Sequence, residues 1–266
     1  MRQKLQDAKR IVIKIGTSSL THESGKINLQ QMENIARVLT DLQNKGKEIV
    51  LVTSGAVGAG MQRLGLGSKP QELEMKQATA AVGQSVLMQM YQKFFGEYNQ
   101  TVAQILLTKD IVNDEIKNIN AKNTFCTLIK LGVIPIVNEN DSISTAEIEG
   151  FRFGDNDTLS ATVATLIEAD LLIMLTDIDG LYTANPAVDP NAKLIHVVEG
   201  IDDTITCSAG DTNSKQGTGG MATKILAAEI TTCAGIDTVI ANGNDMHNIY
   251  TIIQGEDIGT WFKTSH

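Results

Sequence analysis

Short runs of consecutive apolar residues recur along this chain, separated by stretches with helical spacing or by small polar clusters. Arg10–Ile15 (RIVIKI), Glu48–Thr53 (EIVLVT), Val102–Leu107 (VAQILL), Val133–Val137 (VIPIV), Leu171–Leu175 (LLIML) and Thr238–Ala241 read as strands. They are apolar throughout rather than alternating, so both faces of the sheet they form must be covered. Leu29–Leu42 places Met32, Ile35, Ala36, Val38, Leu39 and Leu42 at helical intervals. Helices are also expected over Gln71–Tyr98, Asn123–Leu131, Asp157–Glu168, Thr223–Ala234 and Met246–Ile253. The alternation predicts an α/β fold: a three-layer α/β/α sandwich with a mainly parallel central sheet. Pro135 in the fourth run predicts an edge strand or a bulge there.

A length of 266 residues suits one large domain. Aromatic residues are only 4%, so aliphatic side chains must build the core. The stripe Leu87, Met90, Tyr91, Phe94, Phe95 and Tyr98 reads as core or subunit contact. A net charge of −9 argues against a nucleic-acid partner, because the cations that displace counterions are lacking. Cys126, Cys207 and Cys233 are odd in number and widely spaced, which disfavours a disulfide framework or a zinc site. The first apolar run is short and carries Lys14, unlike a secretory leader, and no run reaches membrane-spanning length. A soluble, cytoplasmic protein with no membrane partner is expected.

In parallel sheets ligands bind beyond the C-terminal ends of the strands. Small and polar residues collect at those ends: Lys14-Ile15-Gly16-Thr17-Ser18, Thr53-Ser54-Gly55-Ala56, Asn138-Glu139-Asn140-Asp141 and Thr176-Asp177. Glycine lets backbone amides approach a phosphate, and a helix start adds partial positive charge. A further glycine loop, Gly217-Thr218-Gly219-Gly220-Met221-Ala222-Thr223-Lys224, opens a helix with a lysine in its first turns. Gly154-Asp155-Asn156-Asp157 precedes another helix with more carboxylates than capping requires. The Walker A loop, the dinucleotide-binding G-x-G-x-x-G, the G-x-S-x-G elbow and H-E-x-x-H are all lacking at the positions that would give them meaning. The histidines, His22, His196, His247 and His266, lie outside the clusters, and no metal site is read from the protein side chains.

The strings IVIKIGTSSL, IVLVTSGAVGAG, IPIVNENDSIST, FGDNDTLSA, LLIMLTDIDGLYTANP and GTGGMATK, in this order, resemble the amino acid kinase family. They are most similar to its members that phosphorylate L-glutamate, in the short form without a C-terminal RNA-modification-like domain. The resemblance implies transfer of the γ-phosphoryl group of ATP to the side-chain carboxylate of L-glutamate, with magnesium accompanying ATP. It implies that Lys14, Lys224, Asp157, Gly16 and Gly55 serve the transfer. Ser54, Asp141 and Asn156, with Asn138 and Asp155 beside them, would bind glutamate. Lys14, Thr176, Asp177 and Thr218, Gly219, Gly220, Met221, Ala222, Thr223 and Lys224 would bind ATP. An N-terminal lobe to about residue 170 would hold the acceptor, and a C-terminal lobe from about 171 the nucleotide. Feedback inhibition by proline and a homo-oligomer are further implications. Another acceptor within the family, such as acetylglutamate or aspartate, and a non-catalytic ATP- and amino-acid-binding regulator remain the alternatives.

Overall fold

The computed structural model describes residues 2–22, 25–143, 156–202, 205 and 220–264. Within them β1 (Arg10–Ile15) runs through the middle of an eight-stranded sheet. It is paired in parallel with β2 (Glu48–Val52) on one side and β5 (Leu171–Thr176) on the other. Beyond β2 lie β4 (Ile134–Glu139) and then β3 (Val102–Leu107) at the edge. Beyond β5 lie β7 (Asp237–Asn242), β8 (Thr260–Phe262) and β6 (Val197–Val198). Every pairing is parallel except β7 with β8.

Side chains alternate across each strand, and the two faces build two cores. Ile11, Ile13 and Ile15 join Leu171, Ile173 and Leu175 on one face. That face is covered by α3 (Leu29–Asn44), α5 (Leu73–Glu97) and the short α9 (Asn248–Ile253). Leu87, Tyr91 and Phe95 of the aromatic stripe are buried in it. Val12 joins Leu172 and Met174 on the opposite face, under α6 (Glu115–Lys130), α7 (Asn156–Leu166) and α8 (Met221–Cys233). Lys14 alternates with Ile13 and so belongs with Val12, turned towards α7 and α8. The one-turn helices α1 (Lys4–Asp7) and α2 (Thr17–Leu20) flank β1.

Two contacts fix the ground under one end of the sheet. The helix α4 (Ala56–Leu64) lies backbone-to-backbone against α5. A Cβ on Gly83 would stand 1.7 Å from the Ala56 carbonyl oxygen, and one on Gly60 1.9 Å from that of Thr79. Only glycine fits either position. At Gly55, immediately before α4, φ is +103°, again a glycine conformation.

The strand at Pro135 is internal, not an edge: β4 lies between β3 and β2. Pairing of β4 with β2 begins only at Leu51↔Ile136, so the N–H that proline lacks falls just before that ladder. The helix expected from Asn123 begins already at Glu115, capped by Asp114, whose Oδ1 accepts from the Lys117 N–H at 3.1 Å. Its first turns carry exposed Ile116 and Ile119, so no buried stripe announces them. The strands β6 and β8 were not anticipated; they are too short to carry a pattern.

Candidate active site

Because β1, β2, β4 and β5 are parallel, their C-terminal ends share one edge, and the clusters that follow them meet there. The first turn of α7 reaches into this edge with two neighbouring side chains, Asn156 and Asp157, and each organises its own group of residues.

Asp157 is fully buried and holds two lysines. Its Oδ1 lies 2.6 Å from Lys14 Nζ and its Oδ2 lies 3.0 Å from Lys224 Nζ. Thr223 Oγ1 lies 3.1 Å from Oδ2 and 2.7 Å from the Gly220 carbonyl, and its single proton serves one of these two acceptors at a time. Lys14 and Lys224 are 5% and 6% exposed, too buried for solvated surface charges. They come from opposite ends of the sequence, one from the central strand and one from the first turns of α8. Together the three groups carry an excess of one positive charge in a poorly solvated place, which suits an anion. Gly16 adjoins them: a Cβ there would lie 3.7 Å from Lys14 Nζ.

Asn156 organises a neutral group. Its Nδ2 lies within hydrogen-bond distance of three acceptors, the Thr53 carbonyl (2.6 Å), Ser54 Oγ (2.8 Å) and Asn138 Oδ1 (2.9 Å), which its two protons share. Asn138 Nδ2 in turn donates to Gln84 Oε1 at 2.9 Å. Thr53 Oγ1 shares a 2.6 Å hydrogen bond with the Tyr91 hydroxyl, and burial pushes the Tyr91 phenol up. Beside this group opens a cavity of about 470 Å³ whose wall includes Ala56, Gln84, Glu139, Asn140, Asp141 and Ser142. Burial, and then the neighbouring Glu139 carboxylate, raise the Asp141 carboxyl to about 6.

Thr176 ends β5, one strand from Lys14, and Asp177 follows it. Thr176 Oγ1 donates to Asp177 Oδ1 at 3.1 Å. Gly220 and Met221 begin α8, with Met221 buried and Ala222 exposed. Asp155, Thr218 and Gly219 lie outside the described residues. Thr53 stood in the polar cluster at the end of the second strand, but sequence reading missed a site role for Tyr91 and Gln84. A signal for Gln84 was present: it precedes Leu87 by three positions and Tyr91 by seven, so it is a polar residue on a buried stripe.

Residues 9–242 match the model of the amino acid kinase family. The chain is 51% identical over 263 residues to the glutamate 5-kinase of Clostridium perfringens, covering 98% of each protein. It is 52% identical over 261 residues to the glutamate 5-kinase of Moorella thermoacetica, covering 98% of this chain and 68% of that one. Among solved structures, an isopentenyl phosphate kinase superposes with a TM-score of 0.67 at 17% identity, covering 96% of this chain and 100% of the other. At that identity the likeness concerns the fold alone.

Proposed function

The chain belongs to the amino acid kinase family, and we propose that it transfers the γ-phosphoryl group of ATP to the side-chain carboxylate of L-glutamate, the first step of proline biosynthesis. One observation carries the chemical reading. Consecutive residues at the start of α7 anchor a two-lysine cluster and an amide-lined pocket, so a phosphoryl donor and an amino-acid acceptor would meet between them.

A glutamate side-chain carboxylate has a pKa of about 4.3 and is already anionic at neutral pH, so no general base is needed. The obstacle is repulsion between two anions, and the remedy is positioning with charge stabilisation. Lys14 would lie between donor and acceptor and Lys224 towards the departing ADP, with Asp157 holding both ammonium groups. Backbone amides at Gly16 and Gly55 would face the moving phosphoryl oxygens. Ser54, Asp141 and Asn156 would hold the acceptor, with Asn138 and Asp155 beside them. Asp141 suits the α-ammonium group by charge. Thr176, Asp177 and residues 218–224 would hold the nucleotide. On this reading residues to about 170 serve the acceptor and those from about 171 serve ATP, with Lys14 reaching across.

A kinase that uses ATP needs a divalent cation, which we take to be magnesium. Among the described residues no group of three acidic, histidine or cysteine side chains could hold one. Such a cation would be bound through nucleotide phosphates and water, where it would screen phosphate charge. A homo-oligomer, inhibition by proline and a cytoplasmic location belong to the same proposal. No helix among the described residues is long and apolar enough to cross a membrane. ADP release with and without L-glutamate tests the reading, and a repeat with proline tests the feedback. ADP release that ignores L-glutamate, or prefers N-acetylglutamate or aspartate, would sink it.

A further inference from the structure

Three side-chain amides stand in series beside the cavity, and two backbone groups fix the direction of each. The Thr53 carbonyl can only accept, so Asn156 must turn Nδ2 towards it. The Glu139 N–H can only donate, so Asn138 must turn Oδ1 towards it, at 2.9 Å. The same oxygen accepts from Asn156 Nδ2. Asn138 Nδ2 is left facing Gln84, which must therefore present Oε1. The polarity of the series thus follows from backbone chemistry and removes the usual ambiguity of amide orientation.

The two ends of the series differ in kind. Asn156 Oδ1 is a hydrogen-bond acceptor, and Gln84 Nε2 is a donor. Gln84 is 8% exposed, stands in the cavity wall with Asp141, and its Nε2 has no hydrogen-bond partner among the described residues. A buried amide donor left unpaired is costly unless something arrives to satisfy it. An α-amino acid brings both complements: an ammonium group for the acceptors and a carboxylate for the donor.

We propose that Gln84 determines acceptor specificity, with Nε2 donating to the α-carboxylate of the bound amino acid while Asp141 and Asn156 Oδ1 face its α-ammonium. The proposal rests on the L-glutamate reading. It makes Gln84 a residue that touches substrate, in addition to orienting Asn138.

The test compares L-glutamate with L-isoglutamine, which carries an α-carboxamide in place of the α-carboxylate. Gln84→Glu keeps an oxygen for Asn138 and replaces the donor by an anionic acceptor. The ratio of kcat/KM for L-glutamate over L-isoglutamine should fall roughly tenfold or more in Gln84→Glu. The fall should lie in the acceptor KM, with the KM for ATP within about twofold of wild type. Where L-isoglutamine turns over too slowly, its inhibition constant against L-glutamate supplies the same ratio. Gln84→Leu should weaken L-glutamate without favouring the carboxamide, and thermal unfolding checks that both variants fold. Equal losses on both acceptors in Gln84→Glu would leave only a structural role and overturn the proposal. Wild-type ADP release that does not depend on L-glutamate would overturn the functional reading itself, and is seen before any variant is made.

Discussion

Asn156 and Asp157 are adjacent in sequence, yet the groups they organise are held by different forces. Around Asp157 the contacts are between full charges, all nearly buried. Around Asn156 they are between neutral amides, hydroxyls and backbone groups. Charges taken out of water are stable there only while their partners remain, so removing one member leaves another stranded. A neutral amide that loses a partner forfeits one hydrogen bond and keeps the fold. The charged side should therefore fail as a unit, while the amide side should degrade in affinity one residue at a time.

The strongest way to break that contrast is through the lysines. Lys14→Ala and Lys224→Ala should each lower kcat by about 10²–10³-fold, the scale of losing one preorganised charge stabiliser. Asp157→Asn removes the carboxylate both lysines share and should also cost roughly 3–5 kcal/mol of stability, read by denaturant unfolding. A kcat near wild type in either lysine variant would remove that residue from the chemistry. On the amide side, Asn156→Ala should raise the KM for L-glutamate about ten- to hundredfold with a folded protein and a near-normal KM for ATP. If the KM for ATP moved instead, the two groups would have been assigned the wrong ligands.

Packing beneath the amide side gives a smaller effect. Gly83→Ala forces a methyl group against the Ala56 carbonyl and should destabilise by about 1–3 kcal/mol. It should also disturb L-glutamate binding, because Gln84 is next in the chain. An unchanged melting temperature would mean that α4 can move away from α5.

The acid side of the pH profile sharpens the comparison further. The Asp141 carboxyl is raised to about 6, so it loses its charge as pH falls through that value. The KM for L-glutamate should rise below pH 6, and Asp141→Asn should abolish that rise while weakening binding at neutral pH. Burial makes ionisation of this carboxyl costly, so the unliganded fold loses stability as pH climbs from the ordinary carboxylate value through about 6 and stays at that lower level above it. Asp141→Asn should accordingly not lower the melting temperature at pH 7. The smallest effect belongs to Tyr91→Phe, which deletes the hydrogen bond to Thr53 under the Ser54 turn and should cost about 1 kcal/mol. A larger loss, with a changed KM for L-glutamate, would make Tyr91 a support of the acceptor site.

How much of this was legible beforehand differs between the two groups. Lys14 was marked by its place inside a run of β-branched residues, and Lys224 by the glycine loop before it. Asn138, Asp141 and Asn156 stood in short polar strings at strand or helix ends. Tyr91 was hidden because it lies on the stripe of α5 that reads as core, and Gln84 was marked there only by its polarity. The first half of α6 was hidden too, since its exposed Ile116 and Ile119 give no amphipathic pattern.

Local pattern by itself determined the layered parallel sheet, the edge on which the polar clusters gather and the residue types gathered there. Apolar runs, helical spacing and strand-end glycines are properties of neighbours along the chain, and the parallel rule converts them into one shared edge. Only tertiary structure decided that Lys14 and Lys224 take opposite oxygens of one carboxylate, and which end of each amide faces the cavity. Those outcomes depend on packing between segments far apart in sequence: the close approach of α4 to α5, and the position of α7 over β1. Spacing along a chain carries no information about such distances.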